Sequence, residues 1–297
     1  MDGIDIVGLT KTYAGAAVPA LDRLSLRVGR GEVYGFLGAN GAGKSTTIRL
    51  LLNFIQPTSG RARIVGRDCV AEATTVKKHV GYLAGDVALW PRVTGNELFA
   101  YLSKLSSQTK TEYLTDLIRR FAAEPDKRID QLSKGNRQKI GIIQALMHQP
   151  DVLILDEPTS GLDPLMQEVF YDCVREAAGR GTAVFVSSHN LAETQRMCDR
   201  VGIIKHGQLI HEQAIKEDAG FDVPIFCVAL KDAQQVKRLK QHTRMKIVAV
   251  DGLVITVQPK SSIASALKEL SAYDITGLTT RQLNLEDEFL EYYGDGA

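Results

Sequence analysis

Cysteine is scarce in this chain of 297 residues: four are present, at Cys69, Cys173, Cys198 and Cys227, widely separated and without a CxxC pair. That spacing speaks against a disulfide framework or a zinc site and for reduced thiols. An excess of one charge is also missing. Thirty-six basic side chains face 35 acidic ones, for a net charge of +1, whereas a dedicated nucleic-acid binder carries a clear basic surplus. Long apolar runs are absent too, and nothing approaches the roughly 18 residues that a membrane-spanning helix requires. The nearest stretch, Ile247 to Val257, is divided by Asp251-Gly252 into two strand-like pieces. The first residues, Met1-Asp2-Gly3-Ile4-Asp5, lack a basic segment followed by an apolar one, so no secretory signal is expected. With 44% hydrophobic and 24% charged residues the composition is that of an ordinary globular protein, expected to be soluble. Any membrane work would need another chain to cross the bilayer.

The pattern of apolar residues predicts an α/β chain. Ile4 to Val7 and Leu24 to Val28 read as short strands, an antiparallel β subdomain, and Glu32 to Leu37 reads as a buried strand entering a glycine-rich segment. A helix is expected from about Gly43 to Phe54, ending before Pro57. A helical subdomain is expected over about 87–147, opened by the capping box Thr94-Gly95-Asn96-Glu97. Val152 to Leu155 and Ala183 to Val186 read as strands flanking a further helix, which implies a mostly parallel sheet covered on both faces. Composition shifts near Glu217 to Pro224, giving expected domains of about 1–218 and 219–297. The second reads strand, helix, strand, strand, helix, strand, a small α+β ferredoxin-like domain, with a last helix from Leu285.

The chemistry concentrates in Gly38-Ala39-Asn40-Gly41-Ala42-Gly43-Lys44-Ser45-Thr46, which fits GxxxxGK[ST]. Glycines let successive backbone N–H groups turn into one concave nest for phosphates, and the helix that follows adds its positive end. Lys44 supplies a point charge for the β- and γ-phosphates, and the Ser45 hydroxyl can ligate Mg²⁺. A chance match in a flexible Gly/Ala loop would lack the strand before and the helix after. Asp156-Glu157 ends an apolar strand, where open α/β sheets bind ligands. Asp156 would hold Mg²⁺ mostly through water, and Glu157 would polarise an attacking water; otherwise the two are helix-initiating acids before Pro158.

Further motifs resemble the nucleotide-binding subunit of ABC transporters, a P-loop NTPase core, over about residues 4 to 212 and in the family's order. Leu132-Ser133-Lys134-Gly135-Asn136-Arg137-Gln138 resembles the family's signature, usually LSGGQ followed by RQ. Ser133 is placed to cap the helix that follows, and with the Gly135 amide it forms an anion-binding helix N-terminus that in the family faces ATP held by the opposite subunit. Ser160-Gly161-Leu162-Asp163 matches the D-loop, and His189 matches the switch histidine, which bonds the γ-phosphate and Glu157; a structural histidine is the bland alternative. Tyr13 resembles the aromatic that stacks on adenine, against a partly buried core tyrosine.

The sequence departs from the family at two places. Gly85-Asp86 follows Val80 to Ala84 where a glutamine is usual, so either Asp86 shifts into its metal-binding role or water fills it. The signature also carries Lys134 and Asn136 in place of Gly and Gln. The resemblance implies an ATPase with ATP and Mg²⁺ as cofactors, working as a head-to-tail pair of identical chains. Its partner would be a separate transmembrane permease, with no nucleic acid, and its location the cytoplasmic face of the cell membrane. Leu89 to Thr94 is the candidate docking surface, where Trp90 either anchors a partner helix or is an ordinary core residue. The tail Leu285 to Gly294 resembles export ATPases of the ABC-2 type. A soluble ABC ATPase acting on ribosomes or DNA is the alternative, and it fits poorly with one such domain and no heptad stretch.

Overall fold

The computed structural model describes residues 2–105, 110–215, 225–260 and 262–281. Two compact units part between Ile215 and Lys216. The first opens with β1 (Ile4–Lys11), β2 (Leu21–Val28), β3 (Val33–Leu37), α1 (Lys44–Leu51), β4 (Ser59–Ile64), β5 (Arg67–Asp68), α2 (Ala73–Lys78) and β6 (Val80–Leu83). Helices α3 (Gly95–Leu105), α4 (Thr111–Arg120) and α5 (Lys134–Leu146) follow. The unit closes with β7 (Val152–Asp156), α6 (Pro164–Gly179), β8 (Ala183–Ser188), α7 (Leu191–Met197), β9 (Arg200–Lys205) and β10 (Gln208–Ala214).

Two sheets result, and their burial patterns explain them. Along β2 every second residue from Leu24 to Val28 is buried, the period of a strand with one wet face, and it lies in an antiparallel sheet ordered β2-β1-β4-β5. β3 and β8 are buried at every position, as strands covered on both faces must be. They sit in a six-stranded sheet ordered β10-β9-β3-β8-β7-β6, parallel except for β10. Alternate residues of β7 serve two cores. Val152 and Ile154 pack with Ile4, Phe36 and Ile48, while Leu153 and Leu155 pack with Phe99, Ile140 and Phe170. The antiparallel edge β9–β10 was not foreseen; its turn is His206-Gly207, both at positive φ, the pairing that closes two-residue hairpins.

In the helical region, the Thr94 hydroxyl accepts from the Glu97 amide at 3.2 Å and the Glu97 carboxylate takes the Thr94 amide at 2.8 Å, the reciprocal box expected there. α1 stops at Leu51, three residues short of the expected Phe54, because Asn53 turns into the left-handed region at φ +51°.

The second unit contains β11 (Ile225–Leu230), α8 (Ala233–His242), β12 (Lys246–Asp251), β13 (Val254–Gln258), α9 (Ile263–Leu270) and β14 (Ile275–Arg281). Its sheet, ordered β12-β13-β11-β14 and antiparallel throughout, has the ferredoxin-like arrangement. Asp232 and Ser262 cap α8 and α9, whose Val236, Leu239, Ala266 and Leu270 cover Phe226 and Val228 of β11. Gly252-Leu253 forms the hairpin turn between β12 and β13, just after Asp251, with Gly252 at φ +54°. The helix expected from Leu285, and the tail to Gly294, lie outside the described residues. Among the described residues no helix is long and apolar enough to cross a membrane.

Candidate functional site

The parallel strands β3, β6, β7 and β8 share one direction, so their carboxyl ends bring Leu37, Leu83, Asp156 and Ser188 to the same edge. The chain leaves β3 there and winds through Gly38 to Gly43 before α1. Gly41 at φ +80° and Gly43 at φ +117° take backbone angles closed to most side chains. Gly38 serves differently: a Cβ on it would lie 2.7 Å from the Ile204 carbonyl, so it is packed tightly rather than turned. Ala42 is buried beneath the loop, while Asn40 and Gly41 stand exposed on it. Gly43 caps α1 without any side-chain bond to its first amides.

Around this loop the polar groups converge. Lys44 is only 6% exposed, and its ammonium donates to the Gly38 carbonyl at 2.5 Å and the Ala39 carbonyl at 3.3 Å. The same nitrogen lies 3.7 Å from Glu157 Oε1. The Ser45 hydroxyl donates to Asp156 Oδ2 at 3.2 Å, and the Ser187 hydroxyl donates to Oδ1. His189 Nδ1 meets Glu157 Oε2 at 2.7 Å. An open cleft of about 590 Å³ gathers Asn40, Gly41, Gly43, Lys44, Ser45, Thr46, Asp156, Glu157 and His189 on its walls.

Not every expected residue is there. Tyr13 stands beside the cleft rather than in its lining, 39% exposed, with its hydroxyl 3.5 Å from Thr46 Oγ1; a core position is excluded. Ser133, Gly135 and Asp163 lie off the cleft. Ser133 caps α5, its hydroxyl accepting from the Asn136 amide at 3.2 Å, and Asp163 caps α6, accepting from the Met166 amide at 3.0 Å. Gly135 sits where a Cβ would be 2.8 Å from the Gly161 carbonyl. Lys134 and Asn136 both have partners in this chain: Lys134 Nζ donates to Ser160 Oγ at 3.3 Å, and the Asn136 side-chain Nδ2 donates to Glu124 Oε2 at 2.8 Å.

Sequence reasoning missed several wall residues. Arg49, one helical turn beyond Ser45, lines the cleft, as does Tyr82; Ser160, expected only as the start of the D-loop, lines it too. Burial, reinforced by the Asp156 charge, pushes the Tyr82 phenol above its ordinary value. Ser187 was readable as the polar end of an apolar strand, but its bond to Asp156 depended on β7 and β8 being neighbours. Gly85 faces the same carboxylate: a Cβ there would stand 3.4 Å from Asp156 Cγ, whereas Asp86 is exposed on the rim. Trp90 is 50% exposed and packs edge-on against Tyr101 at 5.1 Å, so it is a surface residue.

The arrangement, a buried cation at a glycine-rich loop with hydroxyl and carboxylate oxygens opposite, suits a phosphorylated ligand. Residues 21–160 match the family described as ABC transporter. The chain is 32% identical over 306 residues to the bacitracin transport ATP-binding protein BcrA of Bacillus licheniformis, covering 99% of this chain and 98% of that one. It is likewise 32% identical over 308 residues to the daunorubicin resistance ATP-binding protein DrrA3 of Streptomyces coeruleorubidus, covering 98% and 96%. A solved ATP-binding subunit of an ABC transporter superposes with a TM-score of 0.68 at 28% identity, over 71% of this chain and 90% of that one. A dimeric post-hydrolysis ATP-binding cassette bound to ADP and phosphate gives 0.66 at 22% identity, over 73% and 100%, and speaks for the fold alone. The chain belongs to the ATP-binding proteins of the ABC transporter family, and it is an ATPase.

Proposed function

We propose that this chain drives export through a separate membrane-spanning subunit, hydrolysing ATP between two head-to-tail copies of itself at the inner face of the membrane. The observation that carries this reading is a division of labour. Lys44, Ser45, Asp156, Glu157 and His189 converge on one cleft, while Ser133, Gly135 and Asp163 lie outside it, available to a second copy.

On this reading Lys44 meets the β- and γ-phosphates, the loop amides cradle them, and Tyr13 stacks on the base. Glu157 accepts a proton from the attacking water, with His189 bonded to its other oxygen. The donors beside the phosphates are a hydroxyl and carboxylates, all hard oxygens, which fit Mg²⁺. An ion held by Ser45 and Asp156 would complete its shell with phosphate and water oxygens, as Mg²⁺ usually does. When bound, Mg²⁺ would neutralise charge developing on the phosphates.

Bacitracin transport and daunorubicin resistance, in the names of two relatives, support drug or peptide export as the task. The surface from Leu89 to Thr94, with Trp90 and Tyr101 half exposed, is the proposed seat for the membrane partner. Glu157→Gln with MgATP should stall and elute as a dimer on size-exclusion chromatography; a monomer with normal turnover overturns the reading. A pull-down from membranes should retrieve a polytopic partner, and recovery of ribosomes instead would overturn the transport role.

A further inference from the structure

Glu157 carries an unusual backbone. Its φ of +47° lies in the left-handed region, unfavourable for a residue with a Cβ, and such a conformation persists only where the surroundings over-determine it. The ties are visible. The Glu157 amide donates to the Ser187 carbonyl at 3.1 Å, and the Ser160 amide turns back to the Glu157 carbonyl at 3.2 Å. Gln138, 3% exposed, donates from α5 to the Pro158 carbonyl at 2.7 Å. The remaining tie reaches in a different direction. Thr159, 6% exposed, donates its hydroxyl to Glu193 Oε2 at 2.7 Å, a short charge-assisted bond.

That last bond has a particular place in the chain. Thr159 follows Glu157 by two residues, and Glu193 follows His189 by four, in the first turn of α7. Glu157 and His189 are themselves bonded at 2.7 Å. These two side-chain bonds, one at the cleft wall and one behind it, add to the Glu157–Ser187 backbone bond that already joins the same pair of segments. The backbone bond fixes where the segments meet, and the bond behind the wall limits how far the chain beyond Glu157 and the start of α7 can swing about that point.

We propose that Thr159 and Glu193 are positioning residues, a rivet behind the cleft that holds the strained Glu157 carboxylate in register with His189. The proposal rests on the roles given above to Glu157 and His189. Hydrolysis is sensitive to such placement, since a displacement of about 1 Å can cost on the order of a hundredfold in rate. Phosphate binding by Lys44 and the glycine loop does not pass through the rivet.

Steady-state and single-turnover ATP hydrolysis by the purified full chain tests it. Thr159→Val should lower kcat by about tenfold or more with the KM for ATP unchanged, and Thr159→Ser should restore most of the rate. In a His189→Ala background, Thr159→Val should cost nothing further, because the register it protects no longer matters. Glu193→Gln keeps an oxygen for the Thr159 hydroxyl and should stay near the parent rate, while Glu193→Ala should fall as Thr159→Val does. The proposal is overturned if Thr159→Val leaves kcat unchanged, acts through KM, or multiplies with His189→Ala. Equal losses in Glu193→Gln and Glu193→Ala overturn it as well, and that pair decides the matter if Thr159→Val does not fold. If Glu157→Gln stalls while Thr159→Val does not, only the rivet fails; if Glu157→Gln turns over normally, the reading beneath it fails.

Discussion

Helices α1 and α5 belong to the same unit and begin in opposite ways. α1 starts at Gly43, with φ +117° and no side chain bonded to its first amides. α5 starts at Ser133, whose hydroxyl takes the Asn136 amide, while Asn136 and Lys134 are bonded to Glu124 and Ser160. Every helix leaves its first N–H groups without partners inside the helix. A side-chain cap satisfies one of them and stabilises the start by about 1 kcal/mol, whereas an uncapped start keeps them for an anion. The contrast teaches how one fold makes both a receptor and a rigid edge: α1 gives up local stability to stay open, and α5 is tied down on both sides.

The contrast can be broken most forcefully at α1. Lys44→Ala should weaken MgATP binding by about a hundredfold or more, because the phosphates lose their buried cation. Unchanged affinity in calorimetry would remove the loop from the binding site. Ser133→Ala probes the other helix. It should leave ATP binding by a single chain within about twofold, while lowering both hydrolysis and the thermal midpoint, the latter by the roughly 1 kcal/mol of a lost cap. A loss of single-chain affinity like that of Lys44→Ala would abolish the distinction between the two starts.

Smaller effects sharpen the picture. Asp86→Ala should raise the Mg²⁺ concentration needed for hydrolysis a few-fold if that carboxylate assists the ion from the rim, and an unchanged titration excludes it. The smallest effect concerns His148, just past the end of α5, with Nε2 3.3 Å from the Val80 carbonyl. Burial holds its pKa below the ordinary 6.5, so the folded chain keeps it neutral while the unfolded chain takes a proton as pH falls. That contribution to stability is present above about pH 6.5 and lost below it, and His148→Asn should flatten the acid side of the urea midpoint against pH.

What could be read without coordinates followed from local spacing. The glycine loop between an apolar strand and a helix, the acids at the end of β7, the caps at Thr94 and Ser133, and each strand and helix of the second unit are written within a dozen residues or so. The bonds that make a site of them are not. Ser187 meets Asp156 from 31 residues away, Ser45 from 111, and Thr159 meets Glu193 across 34. Nor did any residue pattern announce the left-handed Glu157, since a positive φ at a non-glycine is imposed by its neighbours.

By itself, then, the sequence determined the phosphate loop, the class of fold and the order of the motifs, because glycine placement, apolar periodicity and capping act over short distances. The tertiary structure alone decided which of those motifs share a cleft. It brought Lys44, Ser45, Asp156, Glu157 and His189 to one edge of a parallel sheet and left Ser133, Gly135 and Asp163 outside it. The reason is strand order: β3, β8 and β7 are adjacent in the sheet though far apart in the chain, so their carboxyl ends meet only once the sheet has formed.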